Sequence, residues 1–127
     1  MRVGPLKIKA QLYCGDELAM GPGKADLLEA IAREGSISGA GRAMGMSYRR
    51  SWLLVDSMTR CWCEKLVETV AGGGQGRGAS LTDMGRMVLT AYRALEAGLA
   101  EASQAGLLAP LEAVLRDQPL PPVRDDG

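Results

Sequence analysis

Residues 35–52 read GSISGAGRAMGMSYRRSW, and this stretch decides the fold. Ser36 stands where the N-cap of a short helix is expected, and Gly45 is placed to end that helix after about two turns. Ser47 caps the next helix, so that only Gly45 and Met46 separate the two helices. Two helices joined by so short a turn indicate a helix-turn-helix.

The short helix contains two glycines, Gly39 and Gly41, each of which costs about 1 kcal/mol of helix stability relative to alanine. Ile37, Ala40 and Met44 share one face of the same helix. We expect so weak a helix to persist only when it packs closely against a neighbour, which small residues permit.

The next helix, residues 47–63, is the candidate recognition helix. Its N-terminal turn carries Tyr48, Arg49 and Arg50 between two serines. Arginine donates two hydrogen bonds to guanine O6 and N7, and the N–H groups at a helix N-terminus favour phosphate. Because adjacent helical residues point about 100° apart, one arginine is expected to read bases while the other meets phosphate. The pattern leaves open which arginine does which.

The buried side of the recognition helix is predicted from helical spacing. Trp52 is spaced with Val55 and Met58, and with either Thr59 or Trp62, so Trp52 is expected in the core.

Two elements precede the helix-turn-helix. Apolar and polar residues alternate over residues 6–13, which predicts a strand, and residues 17–20 can return antiparallel after a turn at Gly15-Asp16. After Gly21-Pro22-Gly23, an amphipathic helix is expected over Lys24 to Glu34, ended by Gly35.

A hairpin and a long helix follow. Residues 66–70 and 79–81 read as two short strands around a stretch with five glycines in seven residues, 72–78. Thr82 then caps a helix of roughly 24 residues, about 36 Å long. Its apolar stripe consists of Met84, Met87, Val88, Ala91, Leu95, Leu99 and Ala102. A stripe of this length exceeds the core beneath it, so we expect the helix to pair with a second copy.

The sequence therefore predicts a mainly α fold with small β elements. The class is a winged helix-turn-helix with an N-terminal β-hairpin and a long C-terminal dimerisation helix. The expected organisation is a hairpin over 1–22, the winged helix-turn-helix over 23–81, the dimerisation helix over 82–105, and a short helix and flexible tail over 106–127.

Composition limits the function. The 127 residues are 46% hydrophobic and 24% charged with zero net charge, which is typical of a globular chain. The absence of histidine excludes catalysis that depends on histidine. Residues 36–86 carry seven basic against four acidic residues, and residues 87–127 carry three against six. A basic centre suits a nucleic-acid reader, and the acidic C-terminal third is the candidate surface for a protein partner.

Other readings of single motifs are weaker. The glycine-rich segment lacks the Gly-Lys-Ser/Thr ending of a nucleotide-binding loop. Cys61 and Cys63 are two residues apart and point about 200° away from each other on a helix, so they do not form a metal site. Three cysteines without a Cys-x-x-Cys pair suit a reducing cytoplasm, and no signal peptide or membrane span is read from the sequence.

Several of these segments carry a family resemblance. They are Gly35-Ser36-Ile37-Ser38, Gly45-Met46-Ser47-Tyr48, Trp52 and the glycine-rich stretch before Ala79-Ser80-Leu81-Thr82. Over about residues 5–100 the chain resembles the N-terminal DNA-binding domain of ModE-type molybdate-responsive regulators. It is more distantly similar to LysR-type regulators, which share the helix-turn-helix and lack this wing. The resemblance implies a dimeric bacterial transcription regulator whose long fourth helix pairs with its mate. No pair of carboxylates is convincingly convergent in the sequence, so an enzyme is not expected.

Two features differ from the family pattern. The wing lysine of the family falls at Gly74, and Gln75 and Arg77 replace glycines, so the cation of the wing moves by about three residues. Family members of full length continue into β-rich molybdate-binding domains, whereas only about 25 residues follow Ala102 and show no strand pattern. The expectation is a single-domain form that needs no cofactor and does not itself sense molybdate.

The predicted function is a homodimer that binds a palindromic operator in double-stranded DNA, with helix 47–63 in the major groove and the wing 71–79 on the backbone. The expected DNA-binding residues are Ser36, Arg42, Ser47, Tyr48, Arg49, Arg50, Ser51, Gly73, Gly74, Gln75 and Arg77. The expected dimer contacts are Met87, Val88, Ala91, Leu95 and Leu99. The alternative is an adaptor that keeps the fold as a protein-interaction module and no longer reads DNA.

Overall fold

The computed structural model describes residues 1–71, 77–104 and 106–123, with the backbone alone at Ala71 and Arg77. The elements in chain order are β1 (Arg2–Val3), β2 (Leu6–Lys7), β3 (Leu12–Cys14), β4 (Glu17–Met20), α1 (Pro22–Glu34), α2 (Ile37–Ala43), α3 (Tyr48–Cys61), β5 (Val67–Ala71), β6 (Arg77–Leu81), α4 (Asp83–Ser103) and α5 (Ala109–Glu112). Three helices followed by a two-stranded hairpin confirm the winged helix-turn-helix class.

The N-terminal segment differs from the single hairpin that alternation predicts. β1 pairs with β2 around Gly4, whose φ of +57° is accessible to glycine, and β3 pairs separately with β4. Pairing of residues 6–7 with residues 2–3 ends the first ladder before Ile8, so the expected continuous strand through residues 6–13 is wrong. The expected turn at Gly15-Asp16 is confirmed between β3 and β4.

Helix α1 lies at the centre of the core. It begins at Pro22, two residues before the predicted start, because proline suits the first helical position. Gly35 ends it with φ +75°, and the Gly35 N–H donates to the Ile31 carbonyl at 2.9 Å. Its buried face joins the core residues Met20, Ala25, Leu27, Leu28, Ala30, Ile31, Ile37, Ala40, Val55, Met58, Leu66, Val67, Ala79, Leu81, Val88 and Tyr92.

The wing is attached to α1. β5 and β6 pair in regular antiparallel register from Val67 opposite Leu81 to Ala71 opposite Arg77. The Ala79 N–H donates to the Gly35 carbonyl at 2.8 Å, which fixes the wing beside the end of α1. The wing therefore lies next to the loop that leads into α2.

Helix α4 has two different sides. Val88 and Tyr92 face the core, and the Tyr92 hydroxyl donates to the Ala10 carbonyl at 2.7 Å. The predicted single stripe is wrong at Val88, which is 4% exposed and belongs to the core of the chain itself. Met87 and Leu95, by contrast, remain exposed on the neighbouring face.

The chain beyond α4 contributes one apolar groove. The short helix expected within residues 106–127 is Ala109–Glu112. A groove of about 320 Å³, called here the apolar groove, is lined by Leu6, Ile8, Leu99, Ala102, Ser103, Leu107, Leu108 and Leu111. Among the described residues, no helix is both long and apolar enough to cross a membrane.

Candidate nucleic-acid interface

The site is built on the close contact between α2 and α3. A methyl group on Gly41 would come within 2.3 Å of Ser51 Oγ, so glycine at this position allows the two helices to approach. The Met46 N–H donates to the Gly41 carbonyl at 2.8 Å, and Gly45 adopts φ +70° in the turn. The prediction that small residues allow close packing is therefore confirmed at Gly41.

Both helices of the site begin with the predicted serine caps. Ser36 Oγ accepts the Gly39 N–H at 2.9 Å, and Ser47 Oγ accepts the Arg50 N–H at 3.1 Å. Each cap satisfies a backbone donor that the helix itself leaves free. These bonds fix where α3 starts and therefore which residues occupy its exposed first turn.

The first turn of α3 presents polar and cationic side chains to solvent. Tyr48 is 51% exposed, and Arg49 and Arg50 are exposed beside it. Arg42, in the last turn of α2, is exposed as well. The structure thus brings four of the predicted DNA-binding side chains to solvent around the start of α3.

The arginines on the helices differ in whether they form ion pairs. The pairs in the described part of the chain join Arg33, Arg60, Arg86 and Arg93 to carboxylates. Arg42, Arg49 and Arg50 form no ion pair with any described residue. The unpaired helical arginines are therefore the ones that surround the N-terminus of α3.

The positive charge at the start of α3 is not balanced within the helix. The first turn of α3 contains no acidic residue, although the helix dipole favours one there. On α1, burial lowers the pKa of Lys24, the charges of Glu17 and Cys61 raise it in part, and the charge of Arg50 has the smallest effect and lowers it. Arg49 and Arg50 thus stand in the first turn of α3 without an acidic residue in that turn and without an ion pair among the described residues.

Two of the predicted contacts fall elsewhere. Ser51 is fully buried and its hydroxyl donates to the Ser47 carbonyl at 3.0 Å, so the prediction that it touches DNA is wrong. Gly73, Gly74 and Gln75 lie outside the described residues, and Arg77 is described as the first residue of β6. The side chain of Arg77 is likewise outside the description.

Trp52 was expected in the core and is instead exposed. It is 39% exposed, and its ring meets the Tyr48 ring edge to face, with centroids 6.2 Å apart. The core position goes instead to Ser51, because only a small side chain fits against Gly41. The neighbouring Leu53 is 54% exposed. The exposure of Trp52 and Leu53 was not predicted from the sequence. The spacing of Tyr48 and Trp52 by four positions is the signal that places these two side chains on one face.

Comparisons with known proteins confirm the family resemblance. The chain is 51% identical over 70 residues to the molybdenum transport protein ModE of Azotobacter vinelandii, which covers 55% of this chain and 26% of that protein. It is 36% identical over 117 residues to the molybdenum-pterin-binding protein MopA of Rhodobacter capsulatus, covering 90% of this chain and 44% of MopA. The DNA-binding transcriptional dual regulator ModE of Escherichia coli K12 is 33% identical over 87 residues, or 68% of this chain and 31% of the regulator.

The solved structures agree on the fold. The full-length LysR-type regulator LysG of Corynebacterium glutamicum with bound effector arginine aligns at a TM-score of 0.51 and 26% identity, over 75% of this chain and 30% of LysG. No family model matches the chain. The chain spans less than half the length of each curated relative named above. The homologues are transcription regulators and related molybdenum proteins, and not enzymes.

Proposed function

We propose that this homologue of the ModE-type proteins is a sequence-specific DNA-binding transcription regulator that acts as a homodimer. The observation that carries the proposal is the set of three exposed, unpaired arginines, Arg42, Arg49 and Arg50, around the N-terminus of α3. The homology to DNA-binding regulators supports it independently.

A DNA phosphate would relieve the charge imbalance of this surface. Each cation in the first turn of a helix opposes the helix dipole by about 0.3–1 kcal/mol. Arg49 and Arg50 both stand in that turn of α3. Binding of DNA replaces this repulsion with attraction and releases counterions from the duplex. The same surface in the absence of an anion is unfavourable, which argues against a purely structural role.

The geometry suits major-groove docking of α3. Its exposed first turns carry Arg49 together with Tyr48 and the cap Ser47, while Arg42 on α2 can contact the backbone. The wing, residues 71–79, is proposed to lie along the adjacent backbone, with Ser36 near its base. Ala79 bonded to Gly35 holds the described end of the wing on this side of the molecule.

The outer face of α4 supports the dimer. Met87, Leu95 and Leu99 are 55%, 43% and 36% exposed, and Ala91 between them is exposed too. They follow each other at intervals of four residues and so form one apolar stripe. A second copy that pairs through this stripe would bury it and would place two α3 helices about one DNA turn apart on a palindromic operator.

DNA binding is tested by fluorescence anisotropy with duplex DNA at two salt concentrations. We expect Arg49→Ala or Arg50→Ala to weaken binding, and loss of a phosphate contact to reduce the salt slope by about one. Arg116→Ala removes the same charge from the exposed C-terminal segment and serves as the control. If both α3 variants bind specific and random duplexes as the wild type does, α3 is not the reader.

The dimer is tested by sedimentation at tens of micromolar. Leu95→Glu should shift the protein toward the monomer because it buries a charge in the interface. Ala97→Glu adds the same charge to an exposed position on another face of α4 and should leave the dimer intact. A wild-type monomer at these concentrations would contradict the proposal. A dimer that binds no duplex at low salt would favour the adaptor function instead.

A further inference from the structure

The outer face of α3 exposes three large apolar side chains to solvent. Tyr48, Trp52 and Leu53 are 51%, 39% and 54% exposed, and we call these three residues the apolar ridge. The Tyr48 and Trp52 rings pack edge to face with an interplanar angle of 79°. This contact stabilises the orientation of each ring, so the ridge is a preformed surface.

The ridge shares its face with one of the two arginines. At about 100° per residue, Trp52 lies about 40° from Tyr48 around the helix axis, and Leu53 lies about 40° from Arg49. Arg49 therefore stands within the ridge. Arg50 lies a further 100° around the axis, toward α1, where its charge affects the pKa of Lys24.

Charge limits the ridge to the first two turns of α3. Asp56 follows one turn after Trp52 on the same side, and its carboxylate is 3.0 Å from Arg60 Nε. Arg60 also contacts Glu17 at 2.8 Å. Two carboxylates share this one cation, so the far end of α3 keeps a net negative charge, whereas the unpaired arginines at the start of the helix favour phosphate.

We propose that the apolar ridge contacts the 5-methyl groups of thymine in the major groove, next to a base pair that Arg49 reads, while Arg50 contacts phosphate. Thymine presents the C5-methyl group in the major groove, and it is recognised by apolar contact. This inference rests on the proposed DNA binding and deepens it. It names thymine as a base that the regulator reads, and it assigns different roles to the two arginines.

The test uses the methyl group itself as the variable. A preferred duplex is selected from a random pool with wild-type protein, and each thymine is then replaced singly by deoxyuridine, which lacks only the methyl group. Affinity is measured by anisotropy at constant salt. We expect replacement at one or two positions to weaken wild-type binding by about fourfold, the effect of leaving one methyl group unburied.

Variants connect the methyl effect to the ridge. In Trp52→Ala and Leu53→Ala, the thymine and deoxyuridine duplexes should bind equally well at a position that the wild type distinguishes, with an unchanged salt slope. Leu12→Ala removes a side chain of the same 39% exposure as Trp52 from β3 and should keep the full methyl effect. Arg50→Ala should keep the methyl effect and reduce the salt slope by about one.

The outcomes separate this inference from the proposed function. Salt-dependent, specific DNA binding without any deoxyuridine effect overturns the ridge and leaves the proposed function intact. The inference is also wrong if Trp52→Ala and Leu53→Ala weaken binding of both duplexes by the same factor, because the preference for the thymine duplex then persists without the ridge. A protein that binds no duplex overturns both. If one variant fails to fold, the wild-type duplexes and the other ridge variant still decide.

Discussion

The close contact between α2 and α3 leads to a quantitative prediction for Gly41→Ala. A methyl group on Gly41 would approach Ser51 Oγ to 2.3 Å and the Met46 carbonyl oxygen to 3.4 Å. Ser51 is fully buried, so its hydroxyl has little room to move. Gly41→Ala therefore overpacks the point at which the two helices of the helix-turn-helix meet.

The size of the effect of Gly41→Ala follows from two contributions. Alanine gains about 1 kcal/mol of helix stability over glycine, and overpacking a well-packed contact costs about 1–3 kcal/mol. Gly41→Ala should therefore lower the free energy of unfolding by up to about 2 kcal/mol. Ser51→Ala removes the clashing oxygen and loses one hydrogen bond, at about 0.5–1.5 kcal/mol. The Ser47 carbonyl keeps its other donor, the Ser51 N–H at 3.1 Å.

The two changes should compensate each other. With Ala at both positions the clash is gone and the gain in helix stability remains, so the double variant should be at least as stable as Ser51→Ala alone. Urea unfolding of all four proteins gives the coupling energy, which we expect to be about 1–3 kcal/mol. Gly23→Ala is the control, since nothing lies within 4 Å of its added methyl group, and it should be neutral or stabilising. Additive effects, within about 0.5 kcal/mol, would refute the reasoning.

Three further predictions follow from charge and polarity. Arg93→Ala should lower the free energy of unfolding, measured in urea, by about 1–2 kcal/mol, because its three carboxylate partners lose a half-buried cation. Arg33→Ala breaks one exposed contact and should change the free energy of unfolding by less than about 0.5 kcal/mol. The Ser57 hydroxyl and the Arg60 guanidinium beside the Glu17 carboxylate lower the pKa of Glu17 below its usual 4.5, so its contribution to stability is present above that pH and lost as the pH falls through the lower value. Carbon NMR titration should show this low pKa, and Arg60→Ala should raise it. Calorimetry with molybdate should give no saturable heat, because the apolar groove has almost no donors for a dianion, and a micromolar signal that sulfate does not displace would overturn this.

Local signals in the sequence predicted the helix starts well. The caps Ser36, Ser47 and Thr82 all accept a backbone N–H three residues later, as their positions before apolar-periodic segments indicated. Gly35 and Gly45 adopt the positive φ expected after a helix. Each of these features depends on residues within one turn, so the sequence alone is sufficient to find them.

Burial that is decided by contact with another helix was not predicted from the sequence. Periodicity assigned Trp52 to the core because a large apolar residue usually occupies a buried position. The structure buries Ser51 instead, since Gly41 on α2 comes so close that a larger side chain would not fit. The exposed position of Trp52 was hidden for the same reason. Which face of α3 is buried is decided by another helix, and no spacing rule within α3 contains that information.

Helix α4 shows why the missed features matter for function. Its core face and its outer face differ by about one residue, or 100°, so the sequence merges them into one stripe. The core face fixes α4 to the rest of the fold, because the Tyr92 hydroxyl bonds the Ala10 carbonyl and Arg93 contacts Asp26 and Glu29 on α1.

A dimer formed through the outer face of α4 would therefore have its two α3 helices held at a fixed separation by contacts that never touch DNA. Selectivity for operator spacing would then depend on the bonds between α1 and α4. Selectivity for base identity would depend on the start of α3. In such a dimer the two properties would be carried by separate residues, and so each could change without the other.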